Sequence, residues 1–488
     1  MNQKERIFLW AGIFTGAGLR LVGISSREIQ YDDAFSIFLS RQGLSEIVRG
    51  TAADTMPPLY YFLLHFWQLI NRDLVFLRLL SVILSMAAVL LIFDLARRAF
   101  GVRAGICSVW ILAISPLQIY HSQDLRMYTL LLVGQAGYYW CFLRLFQEGD
   151  RKKSLWLGLT IFGAIALYSH NLAIFGLMWG NVYLLIKKRW KALKNLIVAQ
   201  AIVGLFFLPW LWLLPGQIAK VQRAFWTPVP GLVEVFQAVI LFHASLPLRG
   251  VLLPIATVLS VQVFTLVAWE SWKDRKRAAG LGLFVLIGLG LPMLLFAISY
   301  MIRPVFVTRG FILSAVVYLM LASRIIIMRW RGIGPFMLTA LVAAAVISLP
   351  SYFTYHEFPR SQFRQAVAYL EREIRPGDVV LHDNKLSFFP MRFYSETLEQ
   401  KFLADEPESP NDTYAPETQQ VIGLIPDEDV DSAIGRHQRT HFVVFSKAIE
   451  EFETNNQPHP VLTDLRLAWK QVDHVVLGDL EIYTFEKR

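Results

Sequence analysis

The chain has 488 residues, of which 55% are hydrophobic, 14% aromatic and only 17% charged, against about 25% charged in ordinary soluble proteins. That balance excludes an ordinary soluble enzyme and a disordered chain. The long apolar runs between residues 7 and 350 exclude an outer-membrane barrel, whose strands would alternate. The net charge of +9 is uneven: residues 356–488 carry 14 Lys and Arg against 24 Asp and Glu, and the remainder carries 33 against 14. The basic excess therefore lies on membrane-flanking loops and implies no nucleic-acid partner.

A bilayer core takes about 20 apolar residues per helix. On that length the sequence predicts about eleven transmembrane helices, at 7–25, 74–96, 104–120, 125–146, 154–169, 172–187, 196–214, 251–269, 280–301, 307–327 and 333–350. The first is read as an anchor: it lacks a small-x-small cleavage site, and Arg20 stands near its end. A loop over 26–73 follows. Within it Pro57-Pro58 starts an apolar, aromatic helix over Leu59–Leu69, too short to span and suited to lying in the interface.

Basic residues gather on alternate ends of the spans: Lys4 and Arg6, Arg97 to Arg103, Arg151 to Lys153, Lys187 to Lys194, Lys273 to Arg277, and Arg324 to Arg331. By the positive-inside bias these ends are cytoplasmic. The N-terminus is then inside and, with an odd number of spans, the C-terminus outside a bacterial inner membrane. A second long outer loop, about 215–250, opens with Pro215-Gly216 and carries Trp226, Pro228 and Pro230. Cys107 and Cys141 both lie in apolar runs, with neither a disulfide framework nor a zinc spacing.

After Pro350 the composition changes, and 356–488 reads as a soluble α/β domain outside the membrane. Strands are predicted at Asp378–His382 and Thr440–Phe445, and helices at Ser361–Glu373, Asp429–His437 and Lys447–Glu453. A terminal hairpin over Val475–Phe485 turns at Gly478-Asp479, and the Pro-rich, acidic stretch 404–417 is read as a mobile loop. The expected division is thus a membrane domain, 1–350, with an interfacial first outer loop, 26–73, and the soluble domain, 356–488.

Polar clusters fall on the outer ends of the spans, where uncompensated charge beside lipid is costly. Asp32 and Asp33 stand just after the first span. A carboxylate pair suits a general base plus a group that orients the acceptor or a metal. Equally, acids at a helix N-terminus offset its dipole. His121 to Tyr128 forms a short outer turn in which Arg126 suits a phosphate and Asp124 an acceptor or cation, or the two simply pair. Tyr168-Ser169-His170 is another outer turn, with His170 a metal candidate or a plain polar turn residue. Arg303 and Arg309 precede the tenth span, where two guanidiniums suit a phosphate or a lipid headgroup. No Walker or Gly-rich nucleotide loop is present, so a cytosolic nucleotide-sugar donor is not expected.

These residues occur in a familiar order. The chain resembles the polytopic bacterial glycosyltransferases of the GT-C class, in the protein-mannosyltransferase-like and lipid-A-modifying branch that includes aminoarabinose and galacturonic acid transferases. Asp32-Asp33 is similar to that family's Asp-Glu pair, and Met56 to Tyr61 to its His-Pro-Pro-Leu-Tyr-Tyr stretch. Arg78 to Ser81 is similar to Arg-Leu-x-Ser, and His121 to Tyr128 to Tyr-Ser-Gln-Glu-x-Arg-x-Tyr. Tyr168 to His170 is similar to Tyr-x-His, and Arg303 to Arg309 to Arg-Pro-x-Phe-x-x-Arg-Tyr, with Gly310 in place of the final Tyr. The resemblance covers about 1–330 and departs at Asp33, Met56, Asp124 and Gly310.

The resemblance implies an α-helical polytopic membrane protein of GT-C type with a C-terminal α/β extracytoplasmic domain. It implies transfer of a sugar from a polyprenyl-phosphate donor to a hydroxyl of a lipid, glycan or protein acceptor, with inversion. The expected roles are Asp32 as base with Asp33 beside it, Arg126, Arg303 and Arg309 on the donor phosphate, and Asp124 and His170 positioning the acceptor or a divalent metal ion. Membrane lipids are the other expected partners. The alternative is a transporter or flippase for a lipid-linked sugar, against which stand the absence of an inverted repeat and of paired broken helices. A third is an envelope-anchored binding protein working through 356–488.

Overall fold

A computed structural model describes residues 1–223, 227–274, 280–409 and 411–488. Trp226, Arg275, Lys276 and Arg277 lie outside the described residues. The chain divides into two compact units. One comprises Met1–Ile24 and Thr51–Phe353; the other comprises Ser25–Gly50 and Thr354–Arg488.

In chain order the helices up to the membrane part's end are α1 (Gln3–Leu21), α2 (Tyr31–Ser40), α3 (Leu44–Ala53), α4 (Leu59–Gln68), α5 (Leu74–Phe100) and α6 (Val102–Ile114). They continue with α7 (Pro116–Ser122), α8 (Tyr128–Phe146), α9 (Lys153–Ser169), α10 (Ala173–Leu177), α11 (Trp179–Ile186), α12 (Trp190–Leu211) and α13 (Leu214–Arg223). The rest are α14 (Leu232–Leu241), α15 (Leu252–Asp274), α16 (Leu281–Val285), α17 (Leu291–Met301), α18 (Ile312–Met328) and α19 (Ile333–Thr354).

Local chemistry sets the ends. Asn2 and Glu5 form a reciprocal capping box on α1, and the Asp73 carboxylate accepts from the N–H of Val75 and Phe76 at the start of α5. Gly101, at φ 95°, turns the chain from α5 into α6. Pro116 breaks the next run, so α6 and α7 meet at 65°. The glycines of α8 let α9 close on it: a Cβ on Gly134 would lie 2.7 Å from the Ala166 nitrogen. The strongly buried α18 packs against α6 and α15. At its basic end Arg324 bonds Asp274 at 3.0 Å, and Arg329 bonds Glu270 at 2.8 Å.

A helix stands at each of the eleven expected spans, yet the count of eleven is not confirmed. Among the described residues six helices are long and apolar enough to cross a membrane, or seven if bent α6–α7 is one span. The others fall short for visible reasons. α8 carries Gln135 and Arg144 and is buried nearly all round, so it has little need of an apolar surface. α9 has 17 residues, and α10–α11 are interrupted.

The second unit adds α20 (Phe363–Glu373), β1 (Asp378–His382), α21 (Lys385–Tyr394), β2 (Gln400–Phe402), α22 (Pro416–Ile422) and α23 (Val430–Ile434). It ends with β3 (Arg439–Phe445), α24 (Ser446–Thr454), α25 (Pro460–Ala468), β4 (Trp469–Leu477) and β5 (Leu480–Lys487). The sheet order is β2-β1-β3-β5-β4. β1 is parallel to β2 and β3, whereas β5 is antiparallel to β3 and β4. Apolar residues cover both faces of β1 and β3, as parallel strands require. Val379, Leu381, Phe442 and Val444 face one core with Leu462 and Trp469; Val380 and Val443 face the other with Phe363, Leu370 and Met391.

The described residues of the stretch read as a mobile loop form a loop that contacts the rest of its unit. Lys385 bonds the Asp405 carboxylate and the Asn411 carbonyl, and Tyr414 packs edge-on to Phe389 at 5.4 Å. Residues 25–50, expected with the membrane part, are grouped with 354–488 because α2 packs on α21 and α22.

Candidate active site

Within the first unit the site is built on the turn between α7 and α8. The bend at Pro116 redirects the chain, and three anchors hold the turn. The Gln123 amide donates to the Arg20 and Val22 carbonyls at 2.9 and 2.8 Å and accepts from the Tyr352 hydroxyl at 2.7 Å. Ser81 donates to the Asp124 carbonyl at 2.6 Å. Ser81 also meets the Tyr60 hydroxyl, so the Pro-Pro-Leu-Tyr-Tyr and Arg-Leu-x-Ser stretches both support this turn.

On that support His121 Nδ1 lies 3.2 Å from the Asp124 carboxylate, with both side chains buried. Arg126 donates to the Tyr61 hydroxyl at 3.2 Å. The Tyr128 ring stands 4.8 Å from His121 and 6.2 Å from His170. His170 occupies the turn after α9, where its Nδ1 accepts from the Leu172 N–H at 3.1 Å, leaving the ring proton on Nε2. Burial, then the Arg309 and Arg126 guanidiniums, hold its pKa down to about 3. Arg126 and Arg309, far apart in sequence, thus act on one neutral imidazole. Guanidiniums and tyrosine hydroxyls are groups whose chemistry suits an anion with several oxygens.

The structure therefore brings Asp124, Arg126, His170 and Arg309 into one region of the first unit. Arg303, half-buried in the segment before Arg309, is not among the charges acting on His170. Tyr61, His121 and Tyr128 join the region without having been assigned roles. All three lie inside the motif stretches, which was the available signal. Asp32 and Asp33 belong to the second unit, in the first turn of α2. Asp33 is buried, Asp32 is half-buried, and Ser36 donates to the Asp32 carbonyl at 2.8 Å. Among the described residues no three His, Cys, Asp or Glu side chains are placed to hold a metal ion.

Residues 55–213 match the family model for dolichyl-phosphate-mannose-protein mannosyltransferases. No curated protein matches the chain by sequence. Among solved structures, apo ArnT from Cupriavidus metallidurans superposes with a TM-score of 0.62 at 11% identity, over 97% of each chain. The same protein bound to undecaprenyl phosphate gives 0.56 at 12% identity, again over 97% of each. The Archaeoglobus fulgidus oligosaccharyltransferase tethered to an acceptor peptide gives 0.57 at 11% identity, over 100% of this chain and 74% of that one. At such identities the likeness is one of fold, and the fold of this chain is the GT-C glycosyltransferase fold, with a small C-terminal sheet.

Proposed function

We propose that the protein is an integral-membrane glycosyltransferase that moves a sugar from a polyprenyl-phosphate donor to a hydroxyl of a lipid, glycan or protein. It works at the outer face of the bacterial inner membrane, with the N-terminus cytoplasmic and 356–488 outside. The observation that carries the reading is the buried turn between α7 and α8, where Arg126 donates to the Tyr61 hydroxyl and Tyr128 packs on both His121 and His170, with the Arg309 guanidinium near enough to bear on the same imidazole. The likeness to ArnT, solved with undecaprenyl phosphate, supports a lipid-phosphate ligand for that site.

In the proposed reaction Asp32 takes the acceptor hydroxyl's proton as that oxygen bonds to the anomeric carbon. The bond from that carbon to the phosphate oxygen breaks, and polyprenyl phosphate leaves with the electron pair. Direct displacement inverts the anomeric centre. The leaving phosphate gains a negative charge, which Arg126 and Arg309, with Arg303 as a further cation, stabilise where it develops. A neutral His170 adds no competing charge and offers an N–H. Asp33 and Asp124 orient the acceptor.

The test is release of polyprenyl phosphate from a panel of labelled polyprenyl-phosphate sugars by the lipid-reconstituted protein, with Asp32→Asn alongside. Asp32-dependent release with one sugar is expected. Movement of intact lipid-linked sugar across the bilayer, without release, would overturn the reading in favour of a transporter.

A further inference from the structure

We infer that the C-terminal α/β domain holds the helix carrying Asp32 in place, with Tyr394 and Phe389 as positioning residues for transfer. The inference rests on the reading of Asp32 as base, and every contact it uses lies within the second unit. The approach to α2 is clamped first. The Tyr394 hydroxyl accepts the Ile29 N–H at 3.0 Å, three residues before Asp32. Arg364 lies over the Tyr394 ring at 5.2 Å, donates to the Arg27 carbonyl and stands 3.8 Å from the Glu28 carboxylate. Tyr394 is deeply buried, which pushes its phenol up to about 12, so it remains a neutral, fixed partner.

The helix itself is then seated. The Phe389 ring meets Tyr31 at 5.1 Å, Phe35 at 6.4 Å and Phe38 at 5.8 Å, along one stripe of α2. Beyond the helix, Arg41 pairs with Glu396 at 2.7 Å, and Thr418 donates to the Gly50 carbonyl at 3.0 Å. A ten-residue helix is marginal alone. Its axial position and roll are therefore set by α21, which carries both Phe389 and Tyr394. A shift of about 1 Å in a reacting group costs up to roughly 100-fold in rate, so loosening this seat reads out as lost turnover.

The test uses the full-length reconstituted protein. Phe389→Ala should lower kcat by about 10- to 100-fold and Tyr394→Phe by a smaller factor, with the donor KM unchanged within about twofold. Phe389→Leu, which refills most of the volume, should recover much of the loss. Tyr369→Phe deletes a phenol bonded to Asp473 in the same domain and should leave kcat intact. Wild-type kcat in Tyr394→Phe and Phe389→Ala, or equal loss in Tyr369→Phe, would overturn the inference. If Phe389→Ala fails to fold, Tyr394→Phe decides. An active Asp32→Asn would instead remove the assignment of the base, and the inference with it.

Discussion

His170 provides a measurement that separates an anion receptor from an ordinary turn. Its pKa is lowered from the usual 6.5 to about 3 by burial and by Arg309 and Arg126. Below pH 6.5 the unfolded chain therefore takes up a proton that the folded protein refuses. The stability this group confers is complete above pH 6.5 and is lost as pH falls toward 3. At pH 5 linkage gives a loss of about 2 kcal/mol from this one residue. Other buried histidines, such as His382, also titrate, so the difference between wild type and His170→Gln is the quantity to read. Unfolding in mixed micelles, followed by tryptophan fluorescence at pH 7.5 and pH 5, should show the wild type losing about 2 kcal/mol more than the variant. Undecaprenyl phosphate, by placing an anion beside the two guanidiniums, should shrink the wild-type loss. Identical pH dependence in the two proteins would refute the electrostatic account of the site.

Arg309→Ala should reduce sugar transfer by about 100-fold or more, through loss of a cation at the developing phosphate charge, with Lys restoring part of it; single-turnover assays at saturating donor would show this. Lys385→Met strips the cation from Asp405, whose carboxyl burial already raises, and should destabilise the C-terminal unit by about 1–3 kcal/mol. Limited proteolysis within 354–488 is the readout. Gly134→Ala sets a methyl 2.7 Å from the Ala166 nitrogen and should cost about 1–3 kcal/mol, seen as a lower melting temperature in detergent.

The helix positions of the membrane part were legible because lipid demands long apolar runs, and that signal survives without tertiary knowledge. It leaves the count unconfirmed where protein replaces lipid as the surroundings, as around α8. In the soluble unit the expected β1 coincides with the observed strand, and β3 begins one residue earlier than predicted, both with continuous β-branched and aromatic runs. α21 went unseen because Pro390 and four aromatics within Lys385–Tyr394 contradict helix propensity; burial against α2 outweighs it. The motif turns held the residues of the first-unit site, but their convergence was not readable. Arg126 and Arg309 are separated by most of the membrane part, and only packing shows that they share His170. Nor does any sequence signal say that 25–50 packs on 354–488.

That grouping has a consequence for biogenesis. About 300 residues separate the two pieces of the second unit. During synthesis Phe35 and Phe38 of α2 emerge early, yet α21, whose Phe389 packs on both, is made about 350 residues later. Until α21 is made, these two rings lack their partner from the same unit. Early termination before residue 385 would remove that partner, so truncated chains should lose the seat of α2 however well their membrane helices insert.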